Sequence, residues 1–134
     1  MTNFSLEGKV AVVTGANTGL GRAIAVALAS AGADVALVGR SAPVETEQQI
    51  SALSRKTAVV MADLSDTSSV DSVIEQSEAA LGPVDILVNN AGIIRREDAL
   101  SFGEADWDDV LATNLKVPFF LAQAAARSMV EGNR

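Results

Sequence analysis

Short, nearly unbroken apolar runs alternate along this chain with longer stretches rich in alanine and in amphipathic spacing. Lys9-Val10-Ala11-Val12-Val13-Thr14, Val35-Ala36-Leu37-Val38, Ala58-Val59-Val60-Met61 and Val84-Asp85-Ile86-Leu87-Val88 carry the apolar runs. Strands buried on both faces, as in a parallel sheet, have this continuous character. Between them the spacing predicts helices over 21–31, 43–53 and from Asp66 or Thr67 to Leu81. Gly32 and Gly82-Pro83 supply the stops, Pro43 is tolerated in a first turn, and Asp66 or Thr67 suits a cap. A long helix is expected from Glu104 to Val130, with Asn114 and Pro118 inside it. Proline removes a backbone donor and clashes with the preceding turn, so that helix should kink or divide.

Regular alternation of strand and helix implies right-handed βαβ units and a parallel sheet covered on both faces. The expected architecture is therefore α/β, a doubly wound sheet in three αβα layers. No repeat, low-complexity tract or linker divides the sequence, so residues 1–134 read as one domain or part of one.

Composition narrows the chemistry. With neither histidine nor cysteine, the usual ligands for zinc and soft metals are missing. A formal net charge of −7 argues against binding a phosphate backbone, which needs clustered Lys and Arg. No apolar stretch reaches the ~18 residues of a membrane span. Met1-Thr2-Asn3-Phe4-Ser5-Leu6-Glu7 lacks the basic and apolar regions of a leader. The expectation is a soluble cytoplasmic protein acting on a small molecule, without nucleic acid or membrane partners and without metal.

Candidate chemistry begins after the first strand, in Thr14-Gly15-Ala16-Asn17-Thr18-Gly19-Leu20-Gly21. A parallel-sheet nucleotide site needs the strand to turn sharply into a helix whose free N–H groups face phosphate. Gly15 can supply the turn, Gly19 lets the backbone approach a pyrophosphate, and Gly21 lets the helix pack closely. The spacing is Gly-x-x-x-Gly-x-Gly, which differs from the commoner Gly-x-Gly-x-x-Gly fingerprint. A second signal, Asn89-Asn90-Ala91-Gly92, lies at the end of the fourth strand.

These paired motifs, in this order, resemble the short-chain dehydrogenase/reductase family, and the resemblance runs the length of the chain. It implies a Rossmann-type sheet, of which strands one to four of the family's seven are present. It also implies an NAD- or NADP-dependent oxidoreductase that is commonly a homotetramer. By that resemblance Gly15, Asn17, Thr18, Gly19, Leu20 and Gly21 line the pyrophosphate, and Asp63 and Leu64 flank the adenine. Asn90, Ala91 and Gly92 run beside a ribose, with Asn89 and Asn90 also tying neighbouring strands. Asn114 matches the asparagine of the family's Asn-Ser-Tyr-Lys tetrad, placed where the long helix is distorted.

Cofactor choice usually rests on the end of the second strand, where an acid binds the ribose 2′-hydroxyl. Gly39-Arg40-Ser41 has no acid there, and Arg40 suits a 2′-phosphate. NADP(H) is expected ahead of NAD(H), although Asn17-Thr18 brings no basic residue to the glycine turn. The string Gly92 to Leu100, with Asp106-Trp107-Asp108-Asp109-Val110 beyond, is similar to gluconate-type members of the family. Arg95 and Arg96 are then candidates for a sugar-acid carboxylate, or else members of a surface cluster with Glu97 and Asp98. Asp106, Asp108 and Asp109 read as complements to a helix dipole, and Trp107 as a packing anchor. The 119–126 stretch forms an apolar helix face, for core or subunit interface.

The family's catalytic serine and its Tyr-x-x-x-Lys belong to a later strand and helix, and this sequence has no tyrosine at all. The run Met129 to Arg134 resembles the segment just before the family's fifth strand. The expectation is therefore an N-terminal, cofactor-binding half that is inactive alone. The alternative is a nucleotide-binding fragment without turnover.

Overall fold

In the computed structural model, which describes residues 4–134, four strands build one parallel sheet. They are β1 (Val10–Thr14), β2 (Asp34–Gly39), β3 (Thr57–Met61) and β4 (Ile86–Val88), in the order β3-β2-β1-β4. The absence of a leader was read partly from residues 1–3, which lie outside the described residues. Register pairs Val12 with Ala36 and with Leu87, and Leu37 with Val59. The doubly wound Rossmann-type reading holds.

Alternation along the strands feeds two cores. Val10, Val12, Ala36 and Val38 face α3 (Val70–Leu81) and α5 (Val117–Glu131), packing with Val73, Ile74, Val117, Leu121 and Ala125. Ala11, Val13, Val35 and Leu37 face α1 (Gly19–Ser30) and α2 (Val44–Ser51), packing with Ala25, Ala29 and Ile50. Small alanines on both β1 and α1 let helix and sheet approach closely. The result is three layers, with the sheet in the middle.

Local chemistry explains the element boundaries. The helix expected from Gly21 begins at Gly19, because Thr18 takes an extended N-cap conformation. It ends in a Schellman arrangement, with Gly32 N–H donating to Ala29 O (2.9 Å) and Ala33 N–H to Leu28 O (3.1 Å). Asp66 caps a short 3₁₀ turn, Thr67–Ser69, by accepting from Ser68 N–H at 2.8 Å, and α3 follows directly. The fourth strand starts at Ile86 instead of Val84. Asp85 is taken up by a cap, its carboxylate accepting the N–H of Val10 at 2.9 Å.

The long C-terminal helix is divided, as proline required, but the division lies ahead of the proline. Here α4 (Glu104–Leu111) passes through a π turn, Ala112–Lys116, into α5, with Val117 N–H donating to Ala112 O. Pro118 then sits in the first turn of α5, where its missing N–H costs little. The apolar face of α5 splits into two: Leu121 and Ala125 are buried, while Phe119 is 61% exposed. Trp107 is no packing anchor, being 58% exposed on a helix with no buried residue. Among the described residues no helix is long and apolar enough to cross a membrane.

Candidate functional site

The chain leaves β1 for β2 on one side of the sheet and later returns to β4 on the other. A crevice therefore opens at the carboxyl ends of β1 and β4, the switch point where open α/β sheets place ligands. There the structure has a cavity of ≈ 720 Å³. Gly15, Asn17, Thr18, Gly19, Leu20 and Gly21 line it from the β1–α1 turn, and Arg40 from the end of β2. Asp63 and Leu64 follow β3, and Asn90, Ala91 and Gly92 follow β4, on the same cavity.

The glycine turn is shaped for close approach. Gly15 and Gly19 have φ of +63° and +55°, in the left-handed region that disfavours side chains. A Cβ on Gly19 would meet nothing within 4 Å, so its backbone is open to the cavity. Thr18 makes no side-chain cap bond, which leaves the first amides of α1 without partners inside the helix. Open amides at the positive end of a helix dipole form an anion site. Gly21 lets the start of α1 pack closely, with the nearest neighbours at the ends of β1 and β4. A Cβ there would stand 1.9 Å from Gly15 O and 2.6 Å from Asn90 Nδ2, so Gly21 makes room for the turn itself.

Thr14 joins the two motifs. Its buried hydroxyl accepts from the N–H groups of Asn90 (3.0 Å) and Ala91 (2.9 Å) and donates to Val88 O (3.4 Å). Asn90 Nδ2 answers by donating to Thr14 O (3.1 Å) and Gly15 O (3.2 Å). Among the described residues the Asn89 side chain bonds no neighbouring strand and has a structural task elsewhere, donating to Pro118 O at 3.2 Å and anchoring the start of α5.

Across the cavity, Asp63 accepts from the hydroxyl (2.7 Å) and N–H (3.0 Å) of Ser65. These two bonds, with the positive field of Arg40 adding to them against slight desolvation, hold its carboxyl below its ordinary value of 3.8. Arg40 itself makes no hydrogen bond or ion pair among the described residues, leaving its guanidinium donors available to a ligand.

Residues 9–134 match the family model described as short chain dehydrogenase. The chain belongs to the short-chain dehydrogenase family. It is 49% identical over 134 residues to the 2-dehydro-3-deoxy-D-gluconate 5-dehydrogenase of Escherichia coli (strain K12), covering 99% of this chain and 53% of that relative. The chain thus spans about half the length of the curated relatives it matches. A protein from Sinorhizobium meliloti 1021 described as a short-chain alcohol dehydrogenase superposes with a TM-score of 0.95 at 42% identity, over 98% of this chain and 53% of the other. A protein from Agrobacterium tumefaciens described as a 2-deoxy-D-gluconate 3-dehydrogenase, solved with bound NADP, gives a TM-score of 0.87 at 47% identity, over 100% and 52%.

In this short-chain dehydrogenase chain the remaining candidates separate. Asn114 lies within the π turn and outside the cavity lining. Its amide clamps the Ile93 main chain, accepting from N–H and donating to C=O, both at 2.8 Å. It thereby fixes the segment that carries Gly92 on the cavity wall. Arg95 reaches the cavity and pairs with Asp106 at 3.6 Å, instead of with Glu97 or Asp98. Arg96 lies off the cavity.

Sequence reasoning missed Ser41, Ser65, Asp109 and Thr113, which all line the cavity. Asp109 and Thr113 are four residues apart and so share a helix face, but spacing alone does not say what that face meets. Thr46 was missed as well: its hydroxyl, fully buried, donates to Ala16 O at 2.8 Å behind the glycine turn.

Proposed function

We propose that this chain is the cofactor-binding portion of an NADP(H)-preferring oxidoreductase, which moves hydride to or from a hydroxyl or keto carbon of a sugar acid. One observation carries the reading. An uncapped helix start, opened by glycines with positive φ, faces a cavity that also holds Arg40 and the Asn90-Ala91-Gly92 wall. The empty space beside Gly19 is where a backbone-bound diphosphate fits.

When bound, a nicotinamide cofactor supplies the hydride acceptor or donor. The first amides of α1 would hold its diphosphate, Arg40 its 2′-phosphate, and Asp63 with Leu64 would border the adenine. Gly92 and Ile93, fixed by Asn114, bound the space beyond the ribose. Arg95, held by Asp106, is a second cation on the cavity beside Arg40 and would take a substrate carboxylate, which supports the sugar-acid class that the gluconate-acting relatives suggest.

Proton transfer to the substrate oxygen needs a group matched to neutral pH, and the family's tyrosine has no counterpart among these 134 residues. The second reading, nucleotide binding without turnover by this polypeptide alone, rests on that fact. Calorimetric titration with NADPH and NADH tests both. Saturable binding, tighter for NADPH, with no reduction of 5-keto sugar acids is the expected result. Absence of binding overturns the first reading, and turnover by this chain overturns the second.

A further inference from the structure

The glycine turn is held from behind by α2. Thr46 donates its hydroxyl to Ala16 O at 2.8 Å, and both residues are buried, at 0% and 1% exposure. Arg22, one turn into α1, donates from Nη2 to Asn17 O at 2.8 Å. Its Nη1 in turn pairs with Glu45 Oε2 on α2, also at 2.8 Å. A third link runs from Asn17 Nδ2 to Ser41 Oγ at 2.7 Å, in the loop that leads to α2.

A peptide unit is planar and trans, so its carbonyl and the following N–H point opposite ways. Holding the carbonyls of Ala16 and Asn17 therefore fixes the directions of the amides of Asn17 and Thr18, two residues of the cavity wall. The turn needs this support. The last bond to the sheet is that of Gly15 N–H to Val38 O (2.8 Å), no strand ladder runs through residues 16–18, and glycines with positive φ stand at Gly15 and Gly19. Left alone, such a segment has several conformations of similar energy, and ordering it would cost affinity each time a ligand bound.

We propose that Thr46 and Arg22 are positioning residues that pre-set the diphosphate turn, so that α2 governs affinity for the part of the cofactor common to NAD(H) and NADP(H). The inference rests on the cofactor reading above and adds a specific signature. Damage to the α2 contacts weakens both nucleotides by the same factor, whereas damage at Arg40 changes their ratio.

Thr46→Val keeps the shape of the side chain and removes the donor, stranding a buried carbonyl. Its dissociation constants for NADPH and NADH, measured by calorimetry well below the melting temperature, should both rise about tenfold, equivalent to ~1.4 kcal/mol. Thr46→Ser should restore both values, since it returns the hydroxyl. If circular dichroism finds Thr46→Val unfolded, Arg22→Gln, at a partly exposed position, carries the same expectation through Asn17 O. A folded variant with a lower melting temperature but wild-type dissociation constants overturns the proposal, as does a loss confined to one nucleotide. Failure of the unmutated chain to bind either nucleotide is a different result, and refutes the cofactor reading first.

Discussion

Replacing Gly21 by alanine separates helix propensity from the geometry of the turn. Alanine is favoured over glycine within a helix by about 0.8–1.0 kcal/mol, so propensity alone predicts a more stable chain. The structure reverses that sign. An added Cβ would lie 1.9 Å from Gly15 O, 2.7 Å from Gly15 C and 2.6 Å from Asn90 Nδ2. The first two contacts are backbone, and moving backbone to admit a methyl group costs about 1–3 kcal/mol. The Asn90 amide can retreat only by giving up its bonds to Thr14 O and Gly15 O, worth about 0.5–1.5 kcal/mol each. Against about 1 kcal/mol regained by the helix, the net loss is roughly 3 kcal/mol, a large share of the 5–15 kcal/mol typical of a domain. Gly19→Ala is the control. Nothing lies within 4 Å of its Cβ, and only the left-handed backbone is penalised, by roughly 1–2 kcal/mol. Urea unfolding followed by circular dichroism, with a common m-value, gives both differences. If Gly21→Ala proves as stable as wild type, or less damaging than Gly19→Ala, the described packing of the turn is wrong.

Other perturbations test separate parts of the site. Arg40→Ala should weaken NADPH tenfold or more, from the ~1.5–3 kcal/mol of a charge-assisted bond, and leave NADH unchanged by calorimetry. Thr14→Val leaves the half-buried N–H groups of Asn90 and Ala91 without their acceptor, and urea unfolding should register a loss of about 1–3 kcal/mol. The Asp63 carboxyl titrates below its ordinary 3.8 in the folded chain, so its contribution is present above that value and fades as pH falls through the folded one. The stability difference between wild type and Asp63→Asn should therefore be present at neutral pH and shrink on acidification through 3.8 and below. Asn114→Ala removes both bonds to Ile93, and amide exchange at Ile93 should accelerate while exchange in β1 stays slow.

How much was legible follows from the range of each interaction. Strands and helices announce themselves locally: the unbroken run Val10–Val13 cannot be solvated on either face, and Ala25 with Ala29 lets α1 lie close to it. The glycine turn and the Asn90-Ala91-Gly92 wall were legible too, because close backbone approach admits few residue types. What escaped depends on partners far along the chain. Thr46 looks like any helix threonine until Ala16 is found behind it, 30 residues away. Trp107 reads as core by composition and is exposed, since α4 offers no buried face for it to join. The π turn was half legible. Pro118 demanded a break, but the extra residue was absorbed earlier, which puts Asn114 beside Ile93 and spares the proline any clash.

The two halves of the site meet because of strand register, and register is set by the cores. Val13 pairs with Val88, so the next residues of both strands, Thr14 and Asn89-Asn90, emerge at the same level. Val10 and Val12 fill one core while Ala11 and Val13 fill the other. A slip of one residue would exchange these sets, putting a valine where Ala11 now packs beside α1 and leaving Ala11 to fill a valine-sized space opposite. Packing thus forbids the slip, and with it any arrangement in which the Thr14 hydroxyl misses the Asn90 and Ala91 amides. Enlarging Ala11 to valine should therefore disturb more than α1. A strand displaced by that methyl group carries Thr14 with it, and the glycine turn should lose nucleotide affinity although no residue lining the cavity has changed.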